Sequence, residues 1–422
     1  NNHLEGGEGA DLLIGGAGDD TYAIGNPQYT TLPTDDTVVE ALNGGFDTIV
    51  TRNVFSLTLP ANVERFVARW TYTDVATITG NGLNNVIDLS QSIADVGATL
   101  DGGAGADTLI GGSGADVFIV DNIGDVVIER APKTPATYFI EDEVRSSVSY
   151  TLPVHVERLV LTGTAAIAGT GNADGNTIDG SQNSASNTLT GGSGDDVYLI
   201  GANDVVVEVA DGGRDRVVLQ SGNVGNFNIV TWGEVEEVQL TQGLGASSLT
   251  GDARANVLIG NYFSNTLSGG AGDDRLIDAS DFGGDSDRDF LFGGDGNDTL
   301  ESATGNDEQD GGTGDDLLIS REWDQRTFWF GQGYDHDVIR NEGYASGLLK
   351  LHPGVVSDDL EVYSSGQDVV IRIRGTSDEL IIEKQLNGLA KVGEIRFSDG
   401  TVWTSAQLSA RALVTLLDGT PG

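Results

Sequence analysis

GGAGADTLIGGSGADVFIV, residues 102–120, states one nine-residue sentence twice in succession. The sentence is Gly-Gly-x-Gly-x-Asp-x-apolar-x. It returns as GGEGADLLI from Gly6, GGAGDDTYA from Gly15, GGSGDDVYL from Gly191, GGAGDDRLI from Gly269, GGDGNDTLE from Gly293 and GGTGDDLLI from Gly311. A nonapeptide period of this spelling marks a parallel β-roll. The expected fold is therefore all-β, a calcium-bound β-roll or β-solenoid in which two nonapeptides make one turn. Glycines at places one, two and four are expected to take positive φ and to turn their carbonyl oxygens inward. The aspartate at place six adds carboxylate oxygen, and the hard cation Ca²⁺ selects cages of carbonyl and carboxylate oxygens. The apolar residue at place eight points into the core.

The candidate ligands follow by place. They are Gly6, Gly7, Gly9 and Asp11; Gly15, Gly16, Gly18 and Asp20; Gly102, Gly103, Gly105 and Asp107; and Gly111, Gly112, Gly114 and Asp116. Further along come Gly191, Gly192, Gly194 and Asp196; Gly269, Gly270, Gly272 and Asp274; Gly293, Gly294, Gly296 and Asp298; and Gly311, Gly312, Gly314 and Asp316. Asp289, Asp307 and Asp337 stand in imperfect frames, with ligation and a solvated turn as the two readings. The fifth-place acids Asp19, Asp195, Asp273 and Asp315 read as outward charge.

With 65 acidic residues against 22 basic ones, the net charge of -43 opposes compaction of the bare chain. On the order of ten divalent ions would cancel about half of it, so metal binding is expected to be folding free energy. This acidity argues against nucleic acid as a partner, and also against docking on anionic lipid except through bridging calcium. There is no cysteine, hence neither disulfide nor thiolate metal site. No apolar run is long enough to span a membrane.

A longer period overlies the nonapeptides. Acidic, β-rich inserts carry DDTVVE from Asp35, GGFDTIV from Gly44 and FSLTLPANVERFV from Phe55. The same grammar returns as GDVVIE from Gly124 and VSYTLPVHVERLVLTG from Val148, then as NDVVVE from Asn203, GGRDRVVL from Gly212 and GEVEEVQLTQG from Gly233. Their alternation reads as strand, with Pro60 and Pro153 ending one run before the next. Degenerate copies at Gly80, Gly169, Gly251 and Gly260 place Asn where Asp stood. Asparagine keeps the turn without the charge, so these turns are expected to extend the solenoid with little or no calcium. The expected organisation is roll tract plus insert over 1–101, 102–190 and 191–268, a fourth tract over 269–319, and a C-terminal β cap and tail over 320–422, which carries Trp323, Trp329 and Trp403.

The nonapeptides resemble those of RTX, or haemolysin-type calcium-binding, proteins over about Gly6 to Ile319. The segment from Phe330 to about Leu408 is similar to the haemolysin-type calcium-binding related domain that follows such rolls. The resemblance implies a secreted protein, extracellular or on a bacterial cell surface, exported unfolded by a type I apparatus and folding on external calcium.

Nothing points to an enzyme. His3, His155, His336 and His352 share no metal-ligand spacing and have no serine partner, and carboxylate pairs arise here by composition alone. Trp70, Tyr72, Trp323 and Trp329 suit core and cap packing better than sugar stacking. The two ends also fit each other: Gly419, Thr420, Pro421 and Gly422 followed by Asn1, Asn2, His3, Leu4 and Glu5 spell a nonapeptide in register with Gly6. The partner expected from this is a further copy of the chain, head to tail, in a filament, surface layer or adhesin. Acidic or cell-surface polysaccharide bridged by calcium is a second expected partner. The rival readings are the carrier region of a type I-secreted exoenzyme or toxin, and a polysaccharide-binding module.

Overall fold

The computed structural model describes residues 1–7, 9–24, 36–51, 56–68, 76–92, 97–130, 141–201, 203–210, 212–220, 225–279, 288–303, 305–321, 326–343, 346–387 and 391–417. It divides into two compact units, Asn1–Gly213 and Arg214–Gly422.

The first unit is a parallel β-solenoid. One ladder runs through His3–Glu5, Thr21–Ile24, Thr48–Thr51, Arg65–Ala68, Val86–Asp88, Thr108–Ile110 and Val126–Ile128. Its register stacks Leu4 on Tyr22, Ile49, Phe66, Ile87, Leu109 and Val127. A second ladder takes Ser56–Thr58, Ala76–Thr79, Ala98–Asp101, Val117–Val120, Glu143–Ser146, Arg158–Leu161, Thr177–Asp179 and Val197–Ile200. The stretches read from sequence as inserts are therefore ordinary turns of the same stack. Their strands keep the two-residue alternation that buries one face, so Val38, Ile49 and Phe66 face inward as the nonapeptide strands do. Pro60 and Pro153 each lie just beyond a strand, after Ser56–Thr58 and Tyr150–Thr151.

The second unit is built the same way. Leu258, Leu276, Leu300, Leu318 and Ile339 stack along one ladder, and Leu249, Leu267 and Leu291 along the other. Every eighth-place residue, Leu13, Tyr22, Leu109, Phe118, Tyr198, Leu276, Leu300 and Leu318, is buried. Burial of each such side chain stabilises by roughly 1.5–3 kcal/mol, so the period of the sequence is the period of the core.

Parallel pairing continues past Ser320, through Thr327–Phe330, His336–Asn341 and Gly347–Leu351. Phe328, Phe330, Ile339, Leu349 and Leu351 supply inward apolar residues there. Antiparallel pairing starts only with Leu360–Ser365, Asp368–Ile373 and Glu379–Ile382, and again with Val392–Arg396 and Val402–Thr404. The end of this region is not strand but a helix, Ser405–Leu417. A capping box starts it: the Thr404 hydroxyl accepts from the Gln407 amide at 3.3 Å, and Gln407 Oε1 accepts from the Thr404 amide at 2.8 Å. Leu408 and Ala412, one turn apart, are buried. Trp403 is also buried, with Phe397 at 5.0 Å on one side and Arg411 at 3.9 Å on another.

Candidate metal centre

The sixth-place carboxylates line up along the edges of the stack. In each case one carboxylate oxygen, Oδ1 of an aspartate or Oε2 of Glu157, accepts the backbone N–H of the corresponding residue one turn earlier. One run links Asn256 to Asp274 at 2.7 Å, Asp274 to Asp298 at 2.7 Å, Asp298 to Asp316 at 2.8 Å and Asp316 to Asp337 at 3.0 Å. Others link Asn85 to Asp107 at 2.6 Å and Asp107 to Asp125 at 2.9 Å, and Asn265 to Asp289 at 2.5 Å and Asp289 to Asp307 at 3.0 Å. A further run goes from Ala98 to Asp116 at 2.7 Å, on to Asp142 at 2.7 Å and to Glu157 at 2.9 Å. Asn176 donates to Asp196 at 2.7 Å. The Asn2 amide donates to Asp20, and Asp20 to Asp47 at 2.8 Å. Asp11 donates to Asp36 at 3.0 Å.

The other oxygen decides the chemistry. Oδ2 of Asp11, Asp20, Asp107, Asp274, Asp298, Asp316 and Asp337 is buried and accepts no hydrogen bond. A buried carboxylate oxygen without a donor is costly unless a cation meets it. Burial, with neighbouring carboxylates adding to it in most cases, pushes Asp107, Asp116 and Asp298 up to about 6, Asp274 and Asp316 to about 7 and Asp337 to about 9. The donor set is all oxygen, which fits Ca²⁺.

The glycines divide their work differently from the expectation. Those at places two and four are left-handed in most copies, for example Gly16 at φ 97° and Gly18 at φ 106°. In the copy from Gly111, Gly112 is not left-handed, and its amide donates to Asp116 Oδ2 at 2.6 Å. The first-place glycines are not left-handed in any copy. What they supply is space. A Cβ on Gly15, Gly102, Gly191, Gly269, Gly293 or Gly311 would collide with Oδ2 of the aspartate five residues on. The cradle beside that oxygen exists only because the side chain is missing.

Asp289, Asp307 and Asp337 are buried members of these runs. Asp289 and Asp307 meet Asp278, with one carboxylate oxygen of each within 4.8 Å of the others. The fifth-place Asp19, Asp195, Asp273 and Asp315 are exposed. Three of them accept an amide of the next turn: Asp19 from Phe46 at 2.9 Å, Asp273 from Asn297 at 2.9 Å and Asp315 from His336 at 3.1 Å.

Two kinds of turn dispense with an orphaned oxygen. In the asparagine turns the second-place Asn81, Asn172 and Asn261 point Nδ2 at two carbonyls of the preceding turn. Asn81 reaches Pro60 O at 2.7 Å and Val63 O at 2.8 Å. Asn172 reaches Pro153 O at 2.7 Å and Val156 O at 2.9 Å, and Asn261 reaches Thr241 O and Leu244 O at 3.0 Å each. Beyond Asp307, the fully buried Arg326 donates to the carbonyls of Ala303 and Gly305, with Nε 3.3 Å from Asp307 Oδ2.

Sequence reasoning missed Glu40, Asp47, Glu129, Asp142 and Arg326. Glu40 meets Asp20 and Asp47, and Glu129 meets Asp116 and Asp142, each set with ligand atoms within 4.8 Å of one another. Recurrence of the word VVE or VIE after a glycine tract was the available signal.

Of the histidines, His3 and His336 are exposed beside Glu5 and Asp315, and His352 Nε2 lies 2.7 Å from the Tyr334 hydroxyl and 3.4 Å from Asp310. Trp329 is packed between chains of contacts, its Nε1 donating to Glu308 at 2.8 Å and its ring 4.8 Å from Lys350. Trp70, Tyr72, Trp323 and Gly419 to Gly422 lie outside the described residues.

A parallel β-solenoid whose glycine turns are lined by buried carboxylates defines the class. The RTX calcium-binding nonapeptide repeat family matches the chain in four copies, at residues 1–25, 97–122, 250–277 and 283–318, and the haemolysin-type calcium binding protein related domain matches residues 368–407. The chain thus carries calcium-binding repeats of the RTX family followed by that related domain. No curated protein matches it. Among the described residues no helix is long and apolar enough to cross a membrane.

Proposed function

We propose that the chain is a secreted, non-enzymatic structural protein that folds on extracellular Ca²⁺ and stacks head to tail with further copies into a surface filament, layer or adhesive matrix. The observation that carries the calcium part is the row of buried carboxylate oxygens that no protein group satisfies, in Asp274, Asp298 and Asp316 above all. Stacking draws support from the strand His3–Glu5, which among the described residues pairs with Thr21–Ile24 on one side only. That strand is already in solenoid register, with Leu4 opposite Tyr22 and the Asn2 amide on Asp20. An unpaired parallel edge of this kind templates addition of another strand.

Sedimentation and electron microscopy of the full chain, in millimolar calcium and in chelator, test both parts. The expected result is elongated multimers in calcium and dispersed chains in chelator. Leu4→Lys should abolish the multimers and leave the calcium-dependent strand signal unchanged. Strictly monomeric protein in calcium overturns the stacking, and native strand content in excess chelator overturns the calcium dependence.

A further inference from the structure

The word VVE or VIE closes a strand in the stretches between glycine tracts, at Glu40 after Thr37–Val39 and at Glu129 after Val126–Ile128. Strand alternation explains where these glutamates go. Val38 and Val127 point inward, so two residues on Glu40 and Glu129 point inward as well, and both are buried. At the roll edge Glu129 meets Asp116 and Asp142, with one oxygen of each within 4.8 Å of the others.

The local bonding leaves a cage. Glu129 is only 9 % exposed; its Oε1 accepts the Arg130 amide at 2.6 Å, while its Oε2 is buried with no partner. Among the described residues no cationic side chain pairs with Asp116, Glu129 or Asp142. Gly111 keeps the space open, since a Cβ there would collide with Glu129 Oε2 and lie 2.9 Å from Asp116 Oδ2. The same plan occurs at Asp20, Glu40 and Asp47, all buried, with Oδ2 of both aspartates unpartnered and Gly15 in the place of Gly111. There the Tyr22 hydroxyl donates to Glu40 Oε2, a bond that Phe118 cannot make at the other site.

We propose that Asp116, Glu129 and Asp142, and likewise Asp20, Glu40 and Asp47, each hold one divalent cation, Ca²⁺ by their oxygen donors, in a site closed by a glutamate from outside the nonapeptide. This rests on the calcium reading above and adds a class of site that the nine-residue pattern does not contain. It also gives the tracts a reason to be interrupted, because the strand that ends in the glutamate cannot come from a glycine repeat.

Equilibrium dialysis of the full chain with Ca²⁺ tests it in the wild type and in Glu129→Gln and Glu40→Gln. Each substitution should remove about one bound ion per chain at saturation, an ion needing six to eight oxygens, while the remaining calcium still restores the strand signal. Unchanged ion number and affinity in both variants overturns the proposal and leaves the nonapeptide sites standing. A wild type that binds no calcium overturns the proposed function too. Should the variants fail to fold, wild-type crystals soaked in Tb³⁺ decide: anomalous density among Asp116, Glu129 and Asp142 supports the site, and density confined to the nonapeptide loops overturns it.

Discussion

The turn at Asp298 and the turn at Asn261 differ in backbone and in how they are closed: Gly294 and Gly296 are left-handed, whereas Asn261 and Phe263 are not. At Asp298 the carboxylate takes the Asp274 amide at 2.7 Å and leaves Oδ2 bare beside Gly293. At Asn261 the side-chain amide donates to Thr241 O and Leu244 O, and Asn265 Oδ1 accepts the Asn261 amide at 2.7 Å. One turn waits for a cation; the other brings its own donors. The placement of the two kinds is ordered. Asn85, Asn176, Asn256 and Asn265 each open a run whose next member is a buried aspartate. Asparagine thus stands where a run of aspartates begins, and in three of the four cases it follows a glutamate of the preceding turn, Glu64, Glu157 or Glu236. Arg326 closes the far end of the Asp289 and Asp307 run with a guanidinium against loop carbonyls. Turns with bare carboxylate oxygens thus stand beside turns closed by the chain's own donors.

Chelation is the strongest way to break that contrast. The aspartate turns hold buried carboxylate oxygens without a donor in a chain of net charge -43, and the asparagine turns are too few to hold the stack alone. In excess chelator at neutral pH, far-ultraviolet circular dichroism should report a mostly disordered chain. Strand signal should return cooperatively near ~0.1–1 mM calcium, as in extracellular calcium modules, and magnesium should substitute poorly because it holds its waters. Persisting strand signal would mean that the neutral turns suffice.

Protons should replace calcium in part, and the sign follows from the carboxylates. Asp107 and Asp298 at about 6, and Asp274 and Asp316 at about 7, lie above the unfolded value of about 3.9. Groups raised in this way bind protons better when folded, so their contribution is present at acidic pH and is lost as pH rises through about 6 to 7. Chelated protein should therefore show more strand at pH 5 than at pH 8, and calcium affinity should fall on acidification. A chelated chain that gains strand as pH rises would contradict the burial of these groups.

Converting one kind of turn toward the other comes next. Asp298→Asn keeps an oxygen for the Asp274 amide and removes the charge. It should raise the calcium needed for folding by about a hundredfold, equivalent to ~3 kcal/mol, read as the midpoint of a calcium titration. An unchanged midpoint would place the ions elsewhere.

The features legible in the sequence are those fixed by one residue at a constant offset. Leu276 and Leu300 in the core, Asp274 and Asp298 at the edge and the asparagines of the neutral turns all obey the nine-residue count. Glu40 and Glu129 escaped because a charged residue at the end of a strand reads as outward, although two-residue alternation from the buried Val38 and Val127 carries them inward. Asp142 escaped because it lies in FIEDEV, without a glycine frame. The helix at Ser405 was hidden by the strands before it, although TSAQ is a capping box. The role of the first glycine was misread because positive φ and missing Cβ are both reasons for glycine, and only contact with Oδ2 tells them apart.

The neutral turns should respond to mutation without regard to calcium. Asn261→Ala removes the hydrogen bonds to Thr241 O and Leu244 O and the two that Asn261 Oδ1 accepts from the Phe263 amide and Asn265 Nδ2. At ~0.5–1.5 kcal/mol per bond the loss is about 4 kcal/mol. Denaturant unfolding should show that loss in saturating calcium, with the calcium midpoint moved only by the same free energy. A selective loss of bound ions in this variant would show that its turn is an ion site after all.

The smallest effect should come from the fifth place, and it sharpens the comparison within a single repeat. Asp273 and Asp274 are adjacent acids of the same loop, yet the first is exposed and the second buried. Asp273 Oδ1 accepts the Asn297 amide at 2.9 Å, a bond at the surface that water can replace. Its charge also helps to push Asp274 and Asp298 up, so removing it relieves repulsion while losing a hydrogen bond. The two changes oppose each other, and surface substitutions of this sort usually stay within about 0.5 kcal/mol. Asp273→Ala should therefore leave thermal stability in calcium nearly unchanged and keep every bound ion, whereas Asp274→Ala in the same loop should lose calcium. Loss of ions in Asp273→Ala would make the fifth-place acids ligands and move the cage outward from the buried edge.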